Sequence, residues 1–299
     1  MPRLSVVMPV FNGEAYLAEA IESILGQTAS DYEFLILDDG STDRTPDIAR
    51  AYAARDSRIR YLRDDANVGV ARRLNQGVRL AKAPLIARMD ADDVSLPGRF
   101  AAQLARLDAD PELVLVGSRV VIIDPDGDEL VEMGDAFTHE DIDGGLMASA
   151  GQLIYHPSVI YRKAAVLAVG GYDPAFRCVE DLDLFLKLAE YGRVANIQTP
   201  LLKYREHFRK IGFTRVLEQE REIDRAVADA HRRRGDTRKP CERVAREAES
   251  KAATHRKWGW WALSGRRLAA ARKHAGRALV GDPFNVESAR LLMCALRGR

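Results

Sequence analysis

Ala83-Pro84-Leu85-Ile86-Ala87 followed at once by Arg88-Met89-Asp90-Ala91-Asp92-Asp93 is the stretch on which the reading of this chain turns. A short apolar run bounded by turn residues predicts a buried strand. Three carboxylates at its end repel one another unless a cation or a strongly hydrogen-bonding ligand offsets the charge. Hard oxygen donors in a D-x-D-D spacing suit Mg²⁺ or Mn²⁺, ions that commonly also hold substrate phosphates. An acidic surface turn has the same composition, so the weight of the reading rests on what surrounds it.

Upstream, strand-like and helix-like segments alternate. Leu4–Val10 predicts a strand, and Asn12-Gly13 a turn into an amphipathic run ending near Gln27. Phe34–Leu37 predicts a second strand closed by Asp38-Asp39-Gly40-Ser41, then a helix over Thr45–Ala54. Ile59–Leu62, Gly69–Ala81 and Leu85–Met89 continue as strand, helix and strand. This alternation predicts a parallel sheet covered on both faces, which binds ligands outside the carboxyl ends of its strands. Both acidic clusters, Asp38-Asp39 and Asp90–Asp93, fall at such ends.

Residues 94–210 lose the strict alternation. A helix over Pro97–Leu107, strands at Leu113–Val116, Val120–Ile123, Tyr155–Tyr161 and Val194–Ile197, and a helix over Glu180–Tyr191 predict a mixed continuation of the same sheet. Pro125-Asp126-Gly127-Asp128 suits a hairpin turn. Beyond about residue 213 the pattern is wholly helical, with breaks near Gly235–Pro240 and Gly281-Asp282-Pro283. The expected division is an α/β domain over 1–213, with an alternating half (1–93) and a mixed half (94–213), followed by a basic helical region over 214–299.

The net charge of +1 on 299 residues conceals a division. From Arg215 onward there are 21 Lys and Arg against 11 Asp and Glu, a net +10 that leaves −9 on the rest. Three scattered cysteines without a C-x-x-C pair argue against a disulfide framework or a thiolate zinc site. No apolar stretch approaches the roughly 20 residues of a membrane span. Because the chain enters a strand at once, no signal peptide is expected and a cytoplasmic location is.

Taken in order, Val7-Met8-Pro9-Val10-Phe11-Asn12, Asp38-Asp39-Gly40-Ser41-Thr42-Asp43, Asn67-Val68-Gly69 and Met89-Asp90-Ala91-Asp92-Asp93 resemble the family 2 glycosyltransferases. These are inverting enzymes with the GT-A, nucleotide-diphospho-sugar transferase fold, and the resemblance covers residues 3–210. It implies a Rossmann-like α/β catalytic domain over 1–213 with a mixed central sheet, its nucleotide-binding half at 1–93 and its acceptor-binding half at 94–213, and an α-helical C-terminal extension. It implies nucleotide-sugar contacts from Pro9, Val10, Phe11, Asp38, Asp39 and Asp90, with Asp39 at the base. It further implies a divalent cation (Mn²⁺ or Mg²⁺) on Asp92, with Asp93 beside it. The family's general base, an Asp in an E-D pair after a Gly-Gly-aromatic-Asp turn, corresponds to Asp181 after Gly170-Gly171-Tyr172-Asp173, with Glu180 as acceptor partner. Relatives often have an aromatic residue where this chain has Leu182.

Three further residues enter as expectations: His156 near the acceptor, Arg205 against diphosphate charge, and His207 on diphosphate or metal. Arg72-Arg73 are expected on a solvated helix face. The donor is expected to be a UDP-, GDP- or dTDP-sugar, and the acceptor a saccharide or a lipid-linked saccharide. The tail's Arg232-Arg233-Arg234, Arg266-Arg267 and Trp258, Trp260 and Trp261 permit either peripheral contact with an anionic membrane or packing on the catalytic domain. No nucleic-acid-binding module is recognisable. The chain lacks a Q-x-x-R-W element, which favours single additions over processive synthesis. Two other functions are weighed. A sugar nucleotidyltransferase lacks its basic Gly-rich loop here, because Asn12-Gly13-Glu14 follows the first strand. A non-catalytic sugar-nucleotide scaffold is disfavoured by the joint presence of Asp39, Asp92 and Asp181.

Overall fold

A computed structural model describes residues 1–210, 214–237 and 249–298. In chain order it runs β1 (Leu4–Val10), α1 (Leu17–Leu25), β2 (Tyr32–Asp38), α2 (Thr45–Arg55), β3 (Ile59–Arg63), α3 (Val70–Leu80) and β4 (Leu85–Arg88). There follow β5 (Val94–Ser95), α4 (Arg99–Ala109), β6 (Leu113–Ile123), β7 (Glu129–Met133), α5 (His139–Met147), a 3-10 turn (His156–Ser158), β8 (Ile160–Arg162), α6 (Lys163–Ala168), α7 (Glu180–Tyr191) and β9 (Arg193–Arg205). The C-terminal region contributes α8 (Val216–Arg233), α9 (Lys251–Ser264), α10 (Leu268–Gly281) and α11 (Val286–Arg297).

The strands form one sheet in the order β3-β2-β1-β4-β8-β6-β9-β5, with β7 paired to β6. The β3-β2-β1-β4 half is parallel, and β8 enters antiparallel between β4 and β6. β1 and β2 are buried along their whole length, as strands covered on both faces must be. Val6 and Met8 of β1 face the layer holding α1, α2 and α4, whereas Val7 faces α3, α6 and α7. That alternation is the period-2 pleat distributing one apolar run between two cores.

Three sequence expectations change. Leu113–Val116 and Val120–Ile123 are one continuous strand, its pairing with β9 shifted in register around Ser118 and Arg119. Tyr155–Tyr161 is not a single strand. Pro157, which has no N–H for a ladder, sits in a 3-10 turn closed by Ser158 N–H donating to Tyr155 O (2.8 Å). Only Ile160–Arg162 pairs in the sheet. Arg73 is not on a solvated face but 1% exposed, as described below. The expected break near Gly235–Pro240 extends outside the described residues, while the break at Gly281-Asp282-Pro283 separates α10 from α11.

The C-terminal helices share the core of the α/β domain. Trp258, Ala262, Ala271 and Leu291 belong to the same apolar cluster as Val6 and Phe34, and Trp258 is fully buried. Their positive charge meets the body's negative charge: Arg234 pairs with Asp143, Arg233 with Glu190, Arg267 with Glu129 and Lys273 with Asp124, Asp126 and Asp128. Packing against the α/β domain therefore accounts for Trp258 and for much of the basic surplus. No helix among the described residues is long and apolar enough to cross a membrane.

Candidate active site

The acidic loop leaves β4 and passes into β5, whose antiparallel pairing with β9 brings the end of β9 against it. One oxygen each of Asp90, Asp92 and Asp93 lies within 4.8 Å of the others. Asp90 forms an ion pair with buried Arg88. Asp92 Oδ2 meets His207 Nε2 at 2.8 Å. Asp93 accepts the Arg205 N–H on Oδ1 (2.8 Å), while its buried Oδ2 has no hydrogen-bond partner. Lys210 Nζ stands 3.9 Å from Asp93 Oδ1 and 3.3 Å above the Tyr204 ring. Burial pushes the Asp92 carboxyl up, but the Lys210 ammonium and the His207 hydrogen bond outweigh it and bring it to about 2. For Asp93 burial dominates, and the neighbouring Asp92 charge adds to it, so this carboxyl is raised. The loop thus holds one firmly ionised carboxylate beside one that resists ionisation, the pattern of like charges sharing a small space.

At the end of β2, Asp38 is wholly internal. Its Oδ1 accepts the Ser41 N–H (2.9 Å) and its Oδ2 the Tyr61 hydroxyl (2.6 Å). Asp39 accepts the N–H groups of Val68 and Gly69, both at 2.9 Å, and Arg73 Nε lies 3.4 Å from it. Gly40 has φ +78°, and a Cβ there would stand 2.9 Å from the Ala66 carbonyl carbon, so only glycine lets the two loops approach. Arg73 also reaches Asp64 and the Asp38 carbonyl, which makes it the brace of this pocket. Pro9 and Val10 are buried behind it, while Phe11 is half exposed at its mouth.

Glu180 and Asp181 open α7. Asp181 Oδ1 accepts its own neighbour's N–H, from Leu182, at 2.8 Å. Glu180 is buried, and burial followed by the Asp181 charge pushes it up to about 8. Asp181 is more accessible; burial raises its carboxyl too, with the Leu182 N–H and Arg88 acting against the rise. The preceding turn is clamped by Asn75, whose side chain accepts the Tyr172 N–H (3.0 Å) and donates to the Tyr172 carbonyl (2.7 Å). The Arg88 charge acts on both Asp90 and Glu180 and so couples the acidic loop to this pair.

Two expected contacts are placed away from open solvent. His156 is 4% exposed, with Nε2 2.8 Å from the Tyr172 hydroxyl, and burial lowers its imidazole well below the ordinary range. It is a neutral interior group packed between Tyr172 and Phe185. Arg205 is 2% exposed. Its guanidinium donates to the Asp92 carbonyl (2.8 Å), pairs with Glu19 (2.5 Å) and lies 4.5 Å from the Tyr16 ring centroid. It shapes the acidic loop from behind. Arg88 and Lys210 are the cations that meet these carboxylates, Arg88 at Asp90 and Lys210 at Asp93, and sequence reasoning missed both together with Arg73 and Asn75. Only the position of Lys210, a few residues after Arg205-Glu206-His207, hinted at it.

A parallel half-sheet with a D-x-D loop at a strand end, a mixed second half and an E-D pair opening a helix define a GT-A transferase carrying a helical extension. The family described as Glycosyl transferase family 2 matches residues 5–146. The "Putative glycosyltransferase EpsE" of Bacillus subtilis is 36% identical over 220 residues, covering 71% of this chain and 77% of that protein. An uncharacterized glycosyltransferase of Methanocaldococcus jannaschii is 32% identical over 222 residues, covering 73% and 76%. The chain belongs to glycosyltransferase family 2 and is a glycosyltransferase. Solved structures agree in fold. Staphylococcus aureus TarS (residues 1–349) in complex with UDP-GlcNAc has a TM-score of 0.62 at 15% identity, covering 100% of this chain and 93% of that one. The mannosyltransferase PcManGT of Pyrobaculum calidifontis, in complex with GDP-Man and Mn²⁺, has a TM-score of 0.58 at 19% identity, covering 99% and 80%.

Proposed function

We propose that this glycosyltransferase moves a sugar from a nucleoside-diphosphate donor to an acceptor hydroxyl with inversion, assisted by a divalent cation, in the synthesis of a cell-surface polysaccharide or related glycoconjugate. The observation that carries this reading is the acidic loop: three carboxylates within 4.8 Å, one of them with a buried oxygen lacking a partner. All-oxygen donors of this kind fit Mg²⁺ or Mn²⁺. Asp92, Asp90 and Asp93 would hold the ion, with His207 beside them. When bound, it supplies positive charge against the diphosphate leaving group.

The residues of the chain divide the remaining work. Asp39 faces the base, Asp38 and Arg73 keep the pocket rigid, and Pro9, Val10 and Phe11 flank the nucleoside. Asp181, the more accessible member of the pair, takes the proton from the acceptor hydroxyl on its carboxylate. As that oxygen bonds to the anomeric carbon, the bond to the diphosphate breaks on the opposite face and its electron pair leaves with the phosphate. Glu180, held protonated, can donate a hydrogen bond to the acceptor. Two carboxyl groups whose environments push them apart are thereby assigned different roles.

The test is thermal melting of the purified chain with UDP, GDP or dTDP, each with Mn²⁺, Mg²⁺ or EDTA. A ligand bound only by the folded state stabilises it by about 2.7 kcal/mol at a hundred times its Kd. Stabilisation by one nucleotide, abolished by EDTA and in Asp92→Asn, is the expected result. Equal stabilisation with EDTA, or in Asp92→Asn, refutes the metal assignment; no stabilisation by any nucleotide refutes the donor assignment.

A further inference from the structure

Beside the acidic loop lies a second concavity that the donor reading does not use. It is an open cleft of about 390 Å³ between the catalytic domain and α9. Half-buried Trp261 offers it aromatic surface, the edge of buried Tyr155 part of its floor, Met133 an apolar patch, and Asp135, Gln152 and Glu206 polar groups. Glu206 directly precedes His207, the partner of Asp92. Tyr155 packs edge-on against Tyr204, with ring centroids 5.2 Å apart, and the same Tyr204 ring lies under Lys210. The cleft and the acidic loop therefore share one wall. At the other wall the chain turns through Gly134 (φ +103°), where a Cβ would stand 3.3 Å from Arg119 Cα and 3.7 Å from Tyr155 Cε2. Glycine keeps that side open.

The lining is chemically selective. Its volume falls within the range of about 300–1,000 Å³ common for small-ligand sites. Aromatic surface buries C–H groups, while carboxylates and an amide accept and donate hydrogen bonds in several directions. A pyranose presents both kinds of surface, one patch of C–H groups and a rim of hydroxyls. Exposed Gln152 and Asp135 lie at its rim, where a longer chain can continue into solvent.

We infer that this cleft is the subsite for the acceptor's saccharide, with Trp261 as its platform. This rests on the glycosyl-transfer reading above and gives the C-terminal helices a role, because Trp261 comes from α9. Acceptor choice then depends on a side chain outside the 5–146 segment that matches the family.

Saturation-transfer NMR on the full chain tests it. The saccharide probes are methyl glycosides of glucose, galactose, mannose and N-acetylglucosamine, with maltose, cellobiose and lactose; UDP and GDP with Mn²⁺ are the nucleotide probes. At least one saccharide should bind, and Trp261→Ala should weaken it by about tenfold or more while nucleotide affinity stays within about twofold. Trp261→Phe, which retains an aromatic ring, and exposed Gln152→Ala guard against misfolding, and each should weaken binding by less than Trp261→Ala. A saccharide bound equally by Trp261→Ala overturns the subsite. So does a chain that binds nucleotide but none of the saccharides, and in both cases the donor reading stands. A chain that binds no nucleotide refutes that reading instead, and the subsite falls with it.

Discussion

Replacing Asp181 by Asn removes one proton acceptor and changes little else. The hydrogen bond in which Asp181 Oδ1 takes part is the 2.8 Å contact from the Leu182 N–H, and an amide oxygen accepts it equally well. The helix start is therefore preserved and donor binding should be unchanged. What is lost is general-base assistance, typically about 10²–10⁴ in rate, or about 2.7–5.4 kcal/mol at 1.36 kcal/mol per tenfold. Glu180→Gln makes the opposite prediction. Burial and the Asp181 charge push Glu180 up to about 8, so its protonated form predominates at pH 7. Gln copies the shape and the donor of that protonated form, and the rate should stay within about threefold of wild type. Steady-state release of nucleotide in the presence of acceptor, with kcat and donor KM measured separately, reads both variants. A fall of less than about tenfold in kcat for Asp181→Asn, or a larger loss in Glu180→Gln than in Asp181→Asn, refutes the assignment of the two carboxyls.

Two further outcomes follow from burial and charge. Trp258, fully buried where the C-terminal helices meet the catalytic core, should cost about 3–5 kcal/mol when replaced by Ala, lowering Tm by about 5–8 °C in one transition. Calorimetry showing a separate tail transition, with the main one unmoved, contradicts the shared core. The second concerns pH. Glu180 is raised from 4.5 to about 8, so across that window the folded state holds more protons than the unfolded state. Its contribution to stability therefore falls as pH rises from 4.5 to about 8, by at most about 1.4 kcal/mol per pH unit. Denaturant unfolding at several pH values should show wild type losing stability relative to Glu180→Gln over this window; parallel curves contradict it.

Local pattern alone determined much of this protein. Apolar runs such as Phe34–Leu37, bounded by turn residues, set the parallel strands, and the 3.6 period of Leu182, Phe185, Leu186 and Ala189 set α7 to its observed limits. Because open α/β sheets bind at strand ends, the positions of Asp38-Asp39 and Asp90–Asp93 followed from the strands. Side-chain roles were legible only where they depend on neighbours in sequence. The sequence suggests a solvated face for Arg73 and a place against diphosphate charge for Arg205, yet each is buried by carboxylates and carbonyls brought from far along the chain. Lys210 and Asn75 act on Asp93 and Tyr172, and no local periodicity encodes those pairings. The tail shows the same division. Its helical character and positive charge are compositional. That Trp258 is interior, that Trp261 faces a cleft beside Glu206, and that Lys273 meets Asp124 depend on how the helices dock onto β7. Secondary structure and strand-end chemistry arise from interactions short in sequence. The partners of buried charges are chosen by long-range packing, which a sequence met alone does not display.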